Sequence, residues 1–121
     1  AALHEDEARL AQARAQYESA RARARANWVA AQANLEAARV ALIQAESQAQ
    51  LAARVQQQVA AGYKAGMATS LEMSDADTRR FLAASSAAQA RSQLEVRRVE
   101  LVAAAGRIAA SLEPDADASP Q

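Results

Sequence analysis

A chain of 121 residues with one Phe, one Trp and two Tyr, its apolar half dominated by alanine, has side chains too small to fill a wide globular core. Lys plus Arg and Asp plus Glu balance at 14 each, which leaves no overall field to attract nucleic acid, and the absence of cysteine removes disulfide staples and thiolate metal sites. Alanine is the best helix former and lets neighbouring backbones approach closely, so the composition predicts an elongated all-α fold of helices packed side by side.

The amino-terminal stretch "AALHEDEARL" is acidic where a signal peptide is basic and then apolar. It also begins inside a helical pattern with no start signal, as a piece of a larger protein would. No uninterrupted apolar run approaches the roughly 18 residues of a membrane span.

From about residue 3 to 61 there is neither proline nor glycine, which predicts one long first helix. Leu3, Leu10, Tyr17, Ala24, Ala31, Ala38, Ala45, Ala52 and Val59 recur every seven positions. A second series, offset by four, runs Trp28, Leu35, Leu42, Ala49, Gln56 and Tyr63, and the two together make the a and d seam of a coiled coil. The earlier members of that second series are Glu7, Arg14 and Arg21, so the first third of the helix is expected to be less buried or to face a different neighbour.

Residues 62–69 then predict a turn, because Gly62 or Gly66 can take the left-handed conformation that ends a helix. Thr69 followed three residues later by Glu72 is a capping box, worth about 1 to 2 kcal/mol, and it starts a second helix over residues 70–112. On that helix Met73, Leu94, Leu101 and Ile108 form one stripe and Phe81, Ala88, Val102 and Ala109 the next, which predicts contact with more than one neighbouring helix. The last stretch, "EPDADASPQ", residues 113–121, is expected to be a disordered tail. The fold class expected is a long antiparallel α-helical hairpin.

Catalysis has no candidate residues: His4 is the single histidine, cysteine is absent, and the Glu-x-x-His pattern of di-iron bundles does not occur. No cofactor or metal is expected. Arg21, Arg23 and Arg25 alternate along a helix and so point in different directions, which makes no phosphate-binding face.

The order Tyr63, Gly66, Leu71, Glu72, Met73, Asp75 and Ala76 around the turn resembles the carboxy-terminal helical repeat of TolC-like outer-membrane efflux channels. The upstream pair Tyr17 and Glu18 and the downstream "VELVAAAG", ending at Ala105 and Gly106, resemble the same family, so the similarity spans about residues 9 to 106. It implies a fragment of an α-barrel channel, without the β-barrel, in which a homotrimer forms a periplasmic conduit on an outer-membrane protein of a Gram-negative bacterium. The partners implied are a periplasmic adaptor and an inner-membrane pump.

By that resemblance, Glu72 and Asp75 line the narrowest opening and Tyr63 helps hold it shut. Ala65, Gly66, Met67, Ala68 and Thr69 form the tip that docks the adaptor. Where the family carries an arginine two residues after the glycine, this chain has Ala68, which turns attention to Lys64, Arg79 or Arg80. Read from the residues alone, Glu72 serves the capping box, acids in a first turn suit the helix dipole, and Tyr63 covers the end of the seam. Two other readings stand beside the duct: a structural coiled coil whose isolated fragment dimerises as a four-helix bundle, and the hairpin of a pump adaptor. The arginine, leucine and serine set of adaptor tips is absent from "RVQQQVAAGYKAGMATS".

Overall fold

The structure, a computed structural model, describes residues 2–112. Two helices account for it, α1 at Ala2–Lys64 with 63 residues and α2 at Ser70–Leu112 with 43. They pack against one another as a helical hairpin, the all-α fold that the heptads predict. The first helix runs three residues past its expected end at 61, because Gly62 is accommodated within the helix and the left-handed turn falls at Gly66. The tail expected at 113–121 lies outside the described residues.

The chain divides into two units. In the unit that holds the bend, Leu35–Arg97, the buried side chains are Leu35, Ala76, Ala87 and Leu94. Ala38, Leu42, Ala45, Ala49, Ala52, Gln56 and Val59, all from the two predicted series, are half-buried beside them. Ala87 is 2% exposed, so the seam closes over a single methyl group. A β-carbon-only side chain at each crossing point lets the helix axes come close, and no larger residue would fit at Ala87 without pushing them apart.

In the other unit, residues 2–34 with 98–112, Ala31 and Ala104 are buried, while Ala24, Trp28, Leu101 and Ile108 are half-buried. Residues 2–23 are all exposed, as the charged early members of the second heptad series lead one to expect. The Tyr17 hydroxyl donates a 2.9 Å hydrogen bond to the carbonyl of Ser111. That bond ties the helices at a level where the apolar seam has given way to charged positions.

The stripes expected on α2 fare differently. Met73, Leu94, Leu101 and Ile108 turn inward, whereas Phe81, Ala88, Val102 and Ala109 face solvent, with Phe81 70% exposed. One partner helix can cover only one stripe.

Glycine separates the local costs. Gly66 has φ +77°, where an L side chain crowds its own carbonyl, and Gly66→Ala is expected to lower stability by about 1 to 2 kcal/mol. A Cβ on Gly62 would sit 3.4 Å from that of Ala68, and one on Gly106 would meet nothing within 4 Å. Gly62→Ala is therefore expected to be close to neutral and Gly106→Ala to stabilise by about 0.5 to 1 kcal/mol, read from urea melts followed by circular dichroism.

Candidate functional site

The bend is built by two interlocking backbone devices. At the end of α1 the Met67 N–H donates to the Gly62 carbonyl at 2.7 Å and the Gly66 N–H donates to the Tyr63 carbonyl at 3.1 Å. These 6→1 and 5→2 bonds around a left-handed glycine make a Schellman motif, which satisfies carbonyls the helix leaves open. The Ala68 N–H also donates to the Gly62 carbonyl, at 3.1 Å. Ala68 is thereby drawn over the helix end, where a Cβ on Gly62 would meet its methyl group in ordinary contact at 3.4 Å.

Immediately beyond, the Glu72 N–H donates to Thr69 Oγ1 at 3.1 Å, and the Thr69 N–H donates to Glu72 Oε2 at 2.9 Å. This is the reciprocal capping box read from the sequence. The carboxylate of Glu72 is thereby engaged in starting α2, and it also complements the positive end of the helix dipole.

The side chains expected to carry function are placed as follows. Tyr63 is 49% exposed on the last turn of α1. Met67 and Leu71 project into solvent, Met67 at 82% exposed, while Ala68 is half-buried. Asp75 faces outward and pairs with Arg79, whose Nε lies 3.0 Å from Asp75 Oδ2, an i,i+4 arrangement on one helix face. The acid of the resemblance therefore carries its own counter-charge in this chain.

Beside these residues lies a polar cluster in which the sequence pointed to Arg80 but not to its partners. Gln56 bridges the two helices: its Nε2 donates to Asp77 Oδ1 at 3.0 Å, and its Oε1 accepts from Arg80 Nη1 at 2.9 Å. A primary amide is both donor and acceptor, so one glutamine can serve an acid and a base together. Arg91 Nε donates to Glu46 Oε1 at 3.3 Å along the same side of the hairpin. Gln56 sits in the seam series among alanines, and Arg80 in the inward series of Met73 and Ala87. Polar residues at core heptad positions are the signal that could have found the pair.

The opposite side of this unit is different in kind. Its groove is lined by Ala41, Gln48, Leu51, Val55, Ala83 and Ser86 among others, with Arg79 at the end near the bend. Among the described residues, no group of His, Cys, Asp and Glu could hold a metal, and no helix is long and apolar enough to cross a membrane. Arg21 and Arg25 share a surface with Glu18, while Arg23 donates to Ser19 at 3.3 Å on another. The three arginines thus form no common face. Comparisons with protein-family models, with curated proteins and with solved structures return no match.

Removing the Thr69 hydroxyl leaves an orphan N–H at the start of α2. Thr69→Ala is expected to cost about 1 kcal/mol, whereas Glu72→Gln, which keeps a return acceptor, is expected to cost less than half of that. Chemical denaturation of the two variants beside the parent chain checks the order.

Proposed function

We propose that this chain is a helical-hairpin stave of a TolC-like outer-membrane export duct, a passive conduit whose periplasmic end is the bend. Three copies of the parent surround the channel, and residues 65–69 meet a periplasmic adaptor that couples the duct to an inner-membrane pump. The observation that supports this most is the construction of the corner. The chain reverses over residues 65–69 around a left-handed Gly66, and just beyond it Glu72 and Asp75 lie exposed on the first turns of α2.

In such a ring Asp75 and Glu72 would line the opening. Their charges would act on ions through local pairs, since Arg79 holds Asp75 and the cap holds Glu72. Tyr63 would reach a neighbouring helix of the ring, a role its half-exposed side chain on the last turn of α1 is consistent with. Gln56 joined to Asp77 and Arg80 takes the place of the arginine that Ala68 lacks, by holding the two helices of one hairpin together near the opening.

A second reading, a structural module that self-associates as a four-helix bundle, is favoured by a separate observation. The bend-containing unit exposes Ile43, Leu51, Val55, Phe81, Leu82 and Val96 while burying only two residues larger than alanine, Leu35 and Leu94. Apolar surface in that proportion calls for a further helix.

The duct is tested at the tip, where the Met67 side chain is exposed and its backbone N–H supplies the turn bond. Met67→Glu is expected to abolish capture by the purified periplasmic adaptor of the same cell's pump, by at least about tenfold in affinity, with helix content unchanged. Undiminished capture would count against the duct. Gly66→Trp is a poorer probe, since positive φ strains any side chain placed there.

A further inference from the structure

The two flanks of the bend-containing unit differ in charge. On one flank lie the cross-helix bonds of Glu46 with Arg91 and of Gln56 with Asp77 and Arg80. On the other, the exposed residues of α1 at heptad spacing are Ala37, Ala41, Gln44, Gln48, Leu51, Val55 and Gln58, seven positions without one charge. Across the groove, α2 presents Leu82, Ser86, Gln89, Gln93 and Val96, also exposed and uncharged, and the charge at the end near the bend, Arg79, is paired with Asp75 on its own helix. The charges of the same stretch of α1, Glu36, Arg39, Glu46 and Arg54, all lie off this strip. A solvated helix face ordinarily carries charge on every turn or two, and a charge-free strip is the mark of an interface centre.

We propose that this face is where a second copy of the chain docks, antiparallel, about a two-fold axis that passes Gln48 and Gln89. The inference rests on the self-association reading above rather than on the duct. The occupant is a copy because charge has to match: a copy brings the same uncharged strip and buries no unpaired ion on either side, whereas an ordinary helix surface would bury one at each turn.

Shape leads to the same occupant. Leu51 and Val55 stand up from the strip, and Ala41 and Ala45 leave a hollow further along it. Reversal about Gln48 carries residue 51 onto 45 and 55 onto 41, so each copy's ridge enters the other's hollow, the self-complementarity a two-fold contact requires. On α2 the reversal about Gln89 carries Leu82 onto Val96, apolar onto apolar. The groove floor, at Ala38, Ala45, Ala52 and Ala90, is the edge of the hairpin's own seam, so a stacked copy would extend that packing into a four-helix bundle.

The chain contains no cysteine, so a single introduced thiol reports position cleanly. In the full chain at a concentration on the order of 100 µM, light scattering is expected to give twice the 12.8 kDa monomer mass. Gln48→Cys and Gln89→Cys, which sit on the axis, are expected to form disulfide-linked dimers under mild oxidation, while Gln57→Cys on the far side of α1 stays largely unlinked. Leu51→Glu with Val55→Glu is expected to weaken association at least about tenfold, with helix content followed in parallel. A monomeric parent chain overturns both the docking face and the self-association reading. An oligomer in which Gln57→Cys links as readily as Gln48→Cys keeps self-association and overturns this face.

Discussion

The close approach of two helices across alanine is the constraint from which the other features follow. A seam that narrows to Ala87, Ala76 and Ala104 brings backbones together and gains dispersion contact, but it removes little apolar area from water at each crossing. Larger side chains in the seam, such as Leu35 and Leu94, are few. The hairpin therefore draws more on helix propensity and on its end structures than a leucine-rich coiled coil does. Charged and amide side chains placed across the helices, Arg91 on Glu46 and Arg80 on Gln56, supplement the seam where methyl groups alone pack it.

That dependence gives the corner its importance. A Schellman motif closing α1 and a capping box opening α2 within a few residues leave little freedom in how the chain reverses. Gly66 supplies the one left-handed backbone among the described residues, and the Gly62 carbonyl accepts from the Met67 and Ala68 N–H groups to close the helix end. Both are local devices with local costs, yet they determine where Met67, Leu71 and Asp75 are presented. Backbone hydrogen bonds and the Thr69–Glu72 cap hold the corner, which leaves the Met67 and Leu71 side chains exposed while Asp75 pairs with Arg79.

The flanks of the bend-containing unit divide the remaining work. One flank uses its polar groups to hold α1 to α2, and the other carries alanine, leucine, valine and glutamine without a charge until Arg79 at the end near the bend. In either proposed assembly, internal bonds would maintain the pair and the plain side would take the neighbouring hairpin. Duct stave and four-helix bundle share this requirement. They differ in whether neighbouring hairpins run parallel or antiparallel.

Much of this was legible in the chain itself. Seven-residue recurrence from Ala24 to Val59, freedom from proline, and the Thr69–Glu72 spacing determine two helices, their seam and the start of the second, because helix periodicity and capping are properties of sequence neighbours. The choice of Gly66 over Gly62 for the left-handed residue, the bridging by Gln56 and the bond from Tyr17 to Ser111 were decided only in the tertiary structure. Each depends on which residues of α1 and α2 stand level with one another, and that register is set by packing between segments far apart in the chain. Inward and outward stripes on α2 were settled in the same way: both are apolar, and only the position of the partner helix determines that Leu94 is covered and Phe81 is not.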